Sequence, residues 1–155
     1  MNNEISRIVD QIERAFNGKA WHGTPLRVLL NDVDATIAAS HPAPGAHSIW
    51  ELTEHITFWL NVVRRRLAGE VVNDDDDWRP VGETSPERWH DTIAALEGSH
   101  KRLLAAVRVL SDADLDHEVP AMGYTRYVMI HGVVQHNLYH AGQIALLYRT
   151  ALARG

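Results

Sequence analysis

Apolar positions along this chain recur at helical spacing in four long stretches, and no stretch alternates apolar and polar residues as a half-buried strand would. The first, roughly Asn3 to Asn17, sets Ile5, Ile8, Val9, Ile12 and Phe16 on one face and stops at Asn17-Gly18. Thr24-Pro25, read as an N-cap followed by a proline in the first turn, opens a short helix near residues 25–31 through Leu26, Val28, Leu29 and Leu30. This piece is expected to cap one end of a bundle. From His41 to His47 the chain reads as a loop, because Pro42 and Pro44 lack amide donors and restrict the residues before them.

Ser48-Ile49-Trp50-Glu51 then fits a capping box, in which the serine and the glutamate each satisfy an orphan amide of a second long helix running to about Ala68-Gly69. Its apolar stripe is Ile49, Leu52, Ile56, Trp59, Val63 and Leu67, and His55 falls inside that stripe. The acidic run Asp74 to Asp77 lacks the alternating ligands, the glycine and the terminal glutamate of a calcium loop, so it reads as a solvated linker. Ser85-Pro86 opens a third helix with the seam Trp89, Ile93, Leu96, His100, Leu103, Val107 and Leu110, whose alternating spacing of four and three suits a nearly parallel or antiparallel neighbour. The last helix, about Thr125 to Leu152, carries Met129, Val133, His136, His140, Ile144 and Leu147 along one side. The fold class predicted is all-α, a four-helix bundle with a short extra helix.

A length of 155 residues, 45% hydrophobic and 23% charged, matches one ordinary globular domain spanning residues 1–155. The net charge of −5, with no dense basic block beyond Arg64 to Arg66, argues against nucleic acid as a partner. No apolar run approaches the roughly 20 residues that cross a bilayer, and the start Met1-Asn2-Asn3-Glu4 lacks a signal-peptide pattern, so a cytoplasmic protein is expected. Absence of cysteine excludes thiolate ligands and a cysteine nucleophile, which leaves histidine and carboxylate as the strong metal ligands.

That makes the placement of the histidines informative. An imidazole taken from water with its nitrogens unpaired costs roughly 1 to 3 kcal/mol, so His55, His136 and His140 on inward stripes need partners. Each alone reads more readily as a core histidine satisfied by hydrogen bonds. His136 and His140, however, stand one turn apart on one face, a spacing that suits two ligands of a single divalent ion, and His55 supplies a third from an adjacent helix. His100, on the seam of the third helix, is the rival ligand. His22, His41, His47, His90, His117 and His131 read as surface, cap or loop residues. Asn137 stands where a metalloprotease helix carries its glutamate base, which disfavours peptidase chemistry. Glu51 lies one turn before His55 and either caps its helix or approaches the metal, whereas Glu54 reads as solvated. Gln143 shares the histidine face, to orient a ligand or simply to pack, and Trp50, Trp59 and Tyr139 either line an apolar substrate pocket or belong to the core.

The phrase from His47 through Ser48-Ile49-Trp50-Glu51 to His55-Ile56, followed far downstream by His136-Asn137-Leu138-Tyr139-His140-Ala141-Gly142-Gln143-Ile144, resembles the DinB-like family. Trp21-His22-Gly23 and the run Pro42 to His47 are similar to what many members carry, so the likeness covers nearly the whole chain. The resemblance implies a four-helix bundle with a three-histidine site for zinc, nickel or another divalent ion, frequently assembled as a homodimer. Some members are thiol-dependent transferases or isomerases using bacillithiol or mycothiol, and others are described as metal-dependent hydrolases. Carried over residue by residue, the ligands are His55, His136 and His140. The expected function is therefore a metal-dependent enzyme acting on a small molecule, as an S-transferase with a low-molecular-weight thiol or as a hydrolase. The alternative is a non-catalytic metal-binding or dimerising bundle.

Overall fold

The computed structural model describes residues 3–154, which form an all-helical bundle. Helix α1 spans Glu4–Phe16, and two short helices follow, α2 (Leu26–Leu29) and α3 (Ala35–Ala39). The long helices α4 (Ile49–Leu67), α5 (Pro86–Arg108) and α6 (Arg126–Leu152) complete the fold, with a 3-10 turn over Asp112–Asp116 between the last two. Around the bundle α4 packs on α5 and α6, and α1 packs on the same two, so the four long helices close a ring with α4 beside α6.

Local chemistry sets the ends of these elements. At the start of α4 the Ser48 hydroxyl accepts from the Glu51 amide at 3.1 Å and the Glu51 carboxylate accepts from the Ser48 amide at 2.7 Å, which is the capping box expected from the sequence. Gly69, with φ of 86°, adopts the left-handed conformation that lets the chain leave α4 and return amides to its last carbonyls. The short helix after residue 24 differs from expectation by one position. Pro25 itself is the N-cap and no side chain caps α2, because the fixed φ of proline and its extended ψ of 157° already turn the chain. Helix α3 escaped the sequence reading: Asp34 caps it by accepting from the Ile37 amide, but five residues carry too little periodicity to register.

The core joins all these pieces. Trp50, Leu52, Ile56 and Leu60 of α4 pack with Leu96, Leu103 and Val107 of α5, with Ile130 and Ile144 of α6, and with Ile8 and Ile12 of α1. Trp89 tilts against Trp50 and donates its indole N–H to the Val33 carbonyl at 2.7 Å, which fastens the short-helix segment to α5. The segment after α4 is held just as firmly. Arg66, only 3% exposed, donates to the Val72 carbonyl and to Asp74 at 3.0 Å, and its guanidinium lies over the Trp59 ring. Residues 72–78 thus form a strap laid back along α4. Among the described residues no helix is long and apolar enough to cross a membrane.

Candidate metal centre

Residue His55 occupies the middle of α4, and His136 and His140 sit one turn apart on the adjacent α6. The three side chains converge: the Nε2 atom of His136 lies 3.0 Å from that of His55 and 3.1 Å from that of His140. His55 and His140 are buried and His136 is half-buried. These three form a group able to hold a metal ion, each offering one nitrogen.

The far side of two rings is fixed. The Nδ1 of His55 faces the Asp77 backbone carbonyl at 3.1 Å, and the Nδ1 of His140 faces the Gln143 side-chain oxygen at 2.6 Å. A carbonyl and an amide oxygen only accept, so both Nδ1 atoms carry the proton and both Nε2 atoms present lone pairs to the centre. His136 has one proton to offer and its Nδ1 is buried without a partner. If that proton sits on Nε2, it serves only one of two facing lone pairs, and the other pair is left in repulsion. A cation at the centre satisfies all three nitrogens at once. Imidazole ligands bind at about 2.0 to 2.1 Å, which in a tetrahedral set places neighbouring nitrogens about 3.3 Å apart, a few tenths of an ångström beyond the two separations here.

Burial also keeps the cluster neutral. It pushes the His55 imidazole below its usual range, more than the Asp77 carbonyl can restore, and it does the same to His140 against the opposing pull of Gln143. His136 is lowered to about 4, first by burial and then by its two histidine neighbours, against weaker opposing pulls from Asn137 and Asp77. All three are unprotonated ligands at neutral pH.

Two residues at the site were not anticipated from the sequence. The acidic run is not a solvated linker throughout, because Asp74 pairs with buried Arg66 and Asp77 reaches the site. The Asp77 carboxylate accepts from the Trp59 indole at 3.3 Å and lies 3.6 Å from His55 Nδ1. Trp78 then stacks on His55 with ring centroids 3.8 Å apart and on His47 at 3.6 Å, so His47 braces the strap rather than merely ending a loop. The sequence offers only opposite charges, Arg64 to Arg66 and Asp74 to Asp77, and the burial of Arg66 that draws them together is seen in the fold.

The other expected site residues divide. Gln143 holds His140, and its own amide nitrogen donates to the Tyr139 hydroxyl at 3.4 Å. Tyr139 is 65% exposed and meets His140 edge-on instead of lining a closed pocket. Trp59 is half-buried beside His136, whereas Trp50 is fully buried core and donates to Glu54, which also meets Arg88 and so is not merely solvated. Glu51 is occupied by its cap and by His41 at 3.1 Å. Burial alone would raise its carboxyl, but Ser48 and His41 outweigh that and hold it below its usual range. His100 stands apart from the cluster, stacked on Phe16 at 3.7 Å.

Two cavities of contrasting character adjoin the cluster. His55 contributes to one of about 400 Å³ beneath the strap, whose walls include Glu54, Asn61, Arg65 and Asp76. His136 contributes to another of about 280 Å³ between α4 and α6, whose walls are mostly apolar.

Among solved structures, a conserved protein from Enterococcus faecalis superposes with a TM-score of 0.72 over 99% of both chains at 15% identity, a likeness of fold alone. No curated protein matches the chain. The family model described as the DinB superfamily matches residues 21–144, a span that contains all three converging histidines and both strap residues behind them, and the chain belongs to that superfamily.

Proposed function

We propose that the protein is a metal-dependent enzyme in which His55, His136 and His140 hold one divalent ion and which transfers a small thiol onto an apolar electrophile. The observation that carries this reading is the convergence of three neutral Nε2 atoms, two of them aimed inward by partners on their far sides. Three protein ligands leave a coordination position for a reactant. When bound, such an ion lowers the pKa of a coordinated water or thiol and so supplies a nucleophile at neutral pH.

Transfer is favoured over hydrolysis by what surrounds the cluster. Attack by water gains further from a carboxylate base, and each nearby carboxylate is already engaged by a neighbour: Asp77 by Trp59, Glu51 by its cap, Glu54 by Trp50 and Asp76 by Arg79. A thiol needs no such base. A cavity of mixed polarity on the His55 side and an apolar one on the His136 side also suit two reactants of different character. His55 and His140 keep their orientation through the Asp77 carbonyl and Gln143, and the half-buried Trp59 shields the cluster from water.

Metal content of protein purified without a nickel column checks the first step. About one divalent ion per chain is expected in the native sequence and a large loss in His136→Ala; equal content in both removes the basis of the reading. For the reaction, metal-loaded protein is incubated with cysteine or glutathione and 1-chloro-2,4-dinitrobenzene. Adduct formation that requires the metal and drops in His140→Ala supports transfer, and a rate indifferent to thiol or to His140 rejects it.

A further inference from the structure

The apolar cavity beside His136 has a charged far end. Its lining steps two turns along α4 from Trp59 to Arg66, and back along α6 from His136 to Met129, so its ends are about 10 Å apart at the helical rise. The Arg66 guanidinium carbon lies 5.9 Å from the Trp59 ring centre, which in turn lies 5.9 Å from that of His136, so the guanidinium and that imidazole are no more than about 12 Å apart. Val63, Val133 and Met129 form the walls between them.

Residue Arg66 is under-used as a donor at one nitrogen. Its Nη2 serves the Val72 carbonyl and Asp74 and its Nε is shut away from solvent, but its Nη1 has only the Tyr124 hydroxyl at 3.5 Å. A guanidinium 3% exposed, paired with Asp74 through Nη2 and left with donor capacity at Nη1 beside an apolar cavity, is a place for an acceptor, and charge-assisted bonds make a carboxylate the strongest one. Gly132 supports the same picture. It lies inside α6, where glycine is unfavourable, yet a Cβ there would meet no atom within 4 Å. Close helix packing therefore does not call for it, and the space it leaves belongs to the cavity. At the roughly 30 Å³ that one water occupies in the liquid, about 280 Å³ holds about nine such groups, the size of a medium-chain carboxylate.

We propose that this groove selects a small substrate with an apolar body and a terminal carboxylate, the carboxylate meeting Arg66 and Tyr124 and the reactive end lying at the histidine cluster. The assignment of the reactive end rests on the metalloenzyme reading above; recognition by the groove does not.

The test is therefore made on the metal-free full-length protein, by titrating octanoate and 1-octanol and following tryptophan fluorescence. Octanoate should bind about tenfold or more tightly than 1-octanol, the ratio expected for a charge-assisted hydrogen bond. Gly132→Leu should weaken octanoate binding at least about tenfold by filling the groove, with helix content unchanged. Arg66→Gln should abolish the preference for octanoate. Should that variant fail to fold, Tyr124→Phe, which keeps the clamp on the strap, should still narrow it. Equal affinity for acid and alcohol, binding unaffected by Gly132→Leu, or no binding of either overturns the proposal. Zinc uptake measured in parallel separates the two readings. A chain that discriminates octanoate but takes no zinc keeps the groove and loses the metalloenzyme, and the reverse result keeps the metal site and loses the groove.

Discussion

His100 offers a quantity that can be worked from the structure and measured without any ligand. Its ring is 6% exposed, stacked on Phe16, and its Nδ1 has no partner. Burial first, then the positive charges of Arg108 and Lys101, lower its pKa from 6.5 to about 4. A histidine whose folded pKa lies below its unfolded value binds more protons when unfolded, so stability falls as pH drops below 6.5 and the loss is complete once pH passes below about 4. Between pH 7 and 4.5 those two values give a loss of about 2 to 3 kcal/mol from this residue alone. His100→Leu removes the titration and the unpaired nitrogen together, so the variant should be as stable as the native chain at pH 7, or more so, and clearly more stable at pH 4.5. Urea unfolding followed by circular dichroism reads the difference. At about 2 kcal/mol per molar, the advantage of the variant should grow by about 1 M in midpoint between the two pH values. Equal losses in both proteins would mean that His100 reaches water or a hydrogen-bond partner, and the description of it as a neutral core residue would be wrong.

Gln143→Leu should lower zinc affinity 10- to 100-fold in a competition titration without changing helix content, because it frees the His140 ring that the amide oxygen holds at 2.6 Å. Asp77→Asn should lower it less than Gln143→Leu does, since the backbone carbonyl rather than the carboxylate is the nearer partner of His55. Ser48→Ala should cost about 1 kcal/mol in urea unfolding through loss of the capping hydroxyl. Gly132→Ala should stabilise the chain by about 0.5 to 1 kcal/mol, because the added methyl meets nothing and the helix gains a better former.

What could be read in advance follows the regularity of the backbone. His55, His136 and His140 lie in helices, where sequence spacing fixes direction, so their common orientation was visible from the 3.6-residue period. The capping box at Ser48 was legible for the same reason, as a fixed offset of three residues. The strap obeys no period: Asp77 and Trp78 reach His55 across 22 and 23 positions because Arg66 draws Asp74 back onto α4, and only the folded chain shows that pairing. Helical spacing also overstated one neighbour. Tyr139 adjoins His140 in sequence, but the step of about 100° per residue turns most of it to solvent.

The three imidazoles are unequal, and the inequality bears on which side of the cluster does the work. His55 and His140 are each held by an acceptor on the far nitrogen and are almost entirely buried. His136 has no such partner, is the most exposed of the three, and alone lines the apolar groove. Two ligands braced on their far sides would fix the position of an ion, whereas the third has no such brace at Nδ1 and would shift more easily. With an ion bound, any adjustment of its coordination would therefore be easiest on the groove side. A partner for His136 Nδ1, introduced from a neighbouring position, should raise metal affinity while slowing turnover; affinity and turnover rising together would show that the loose ring is a defect rather than a working part.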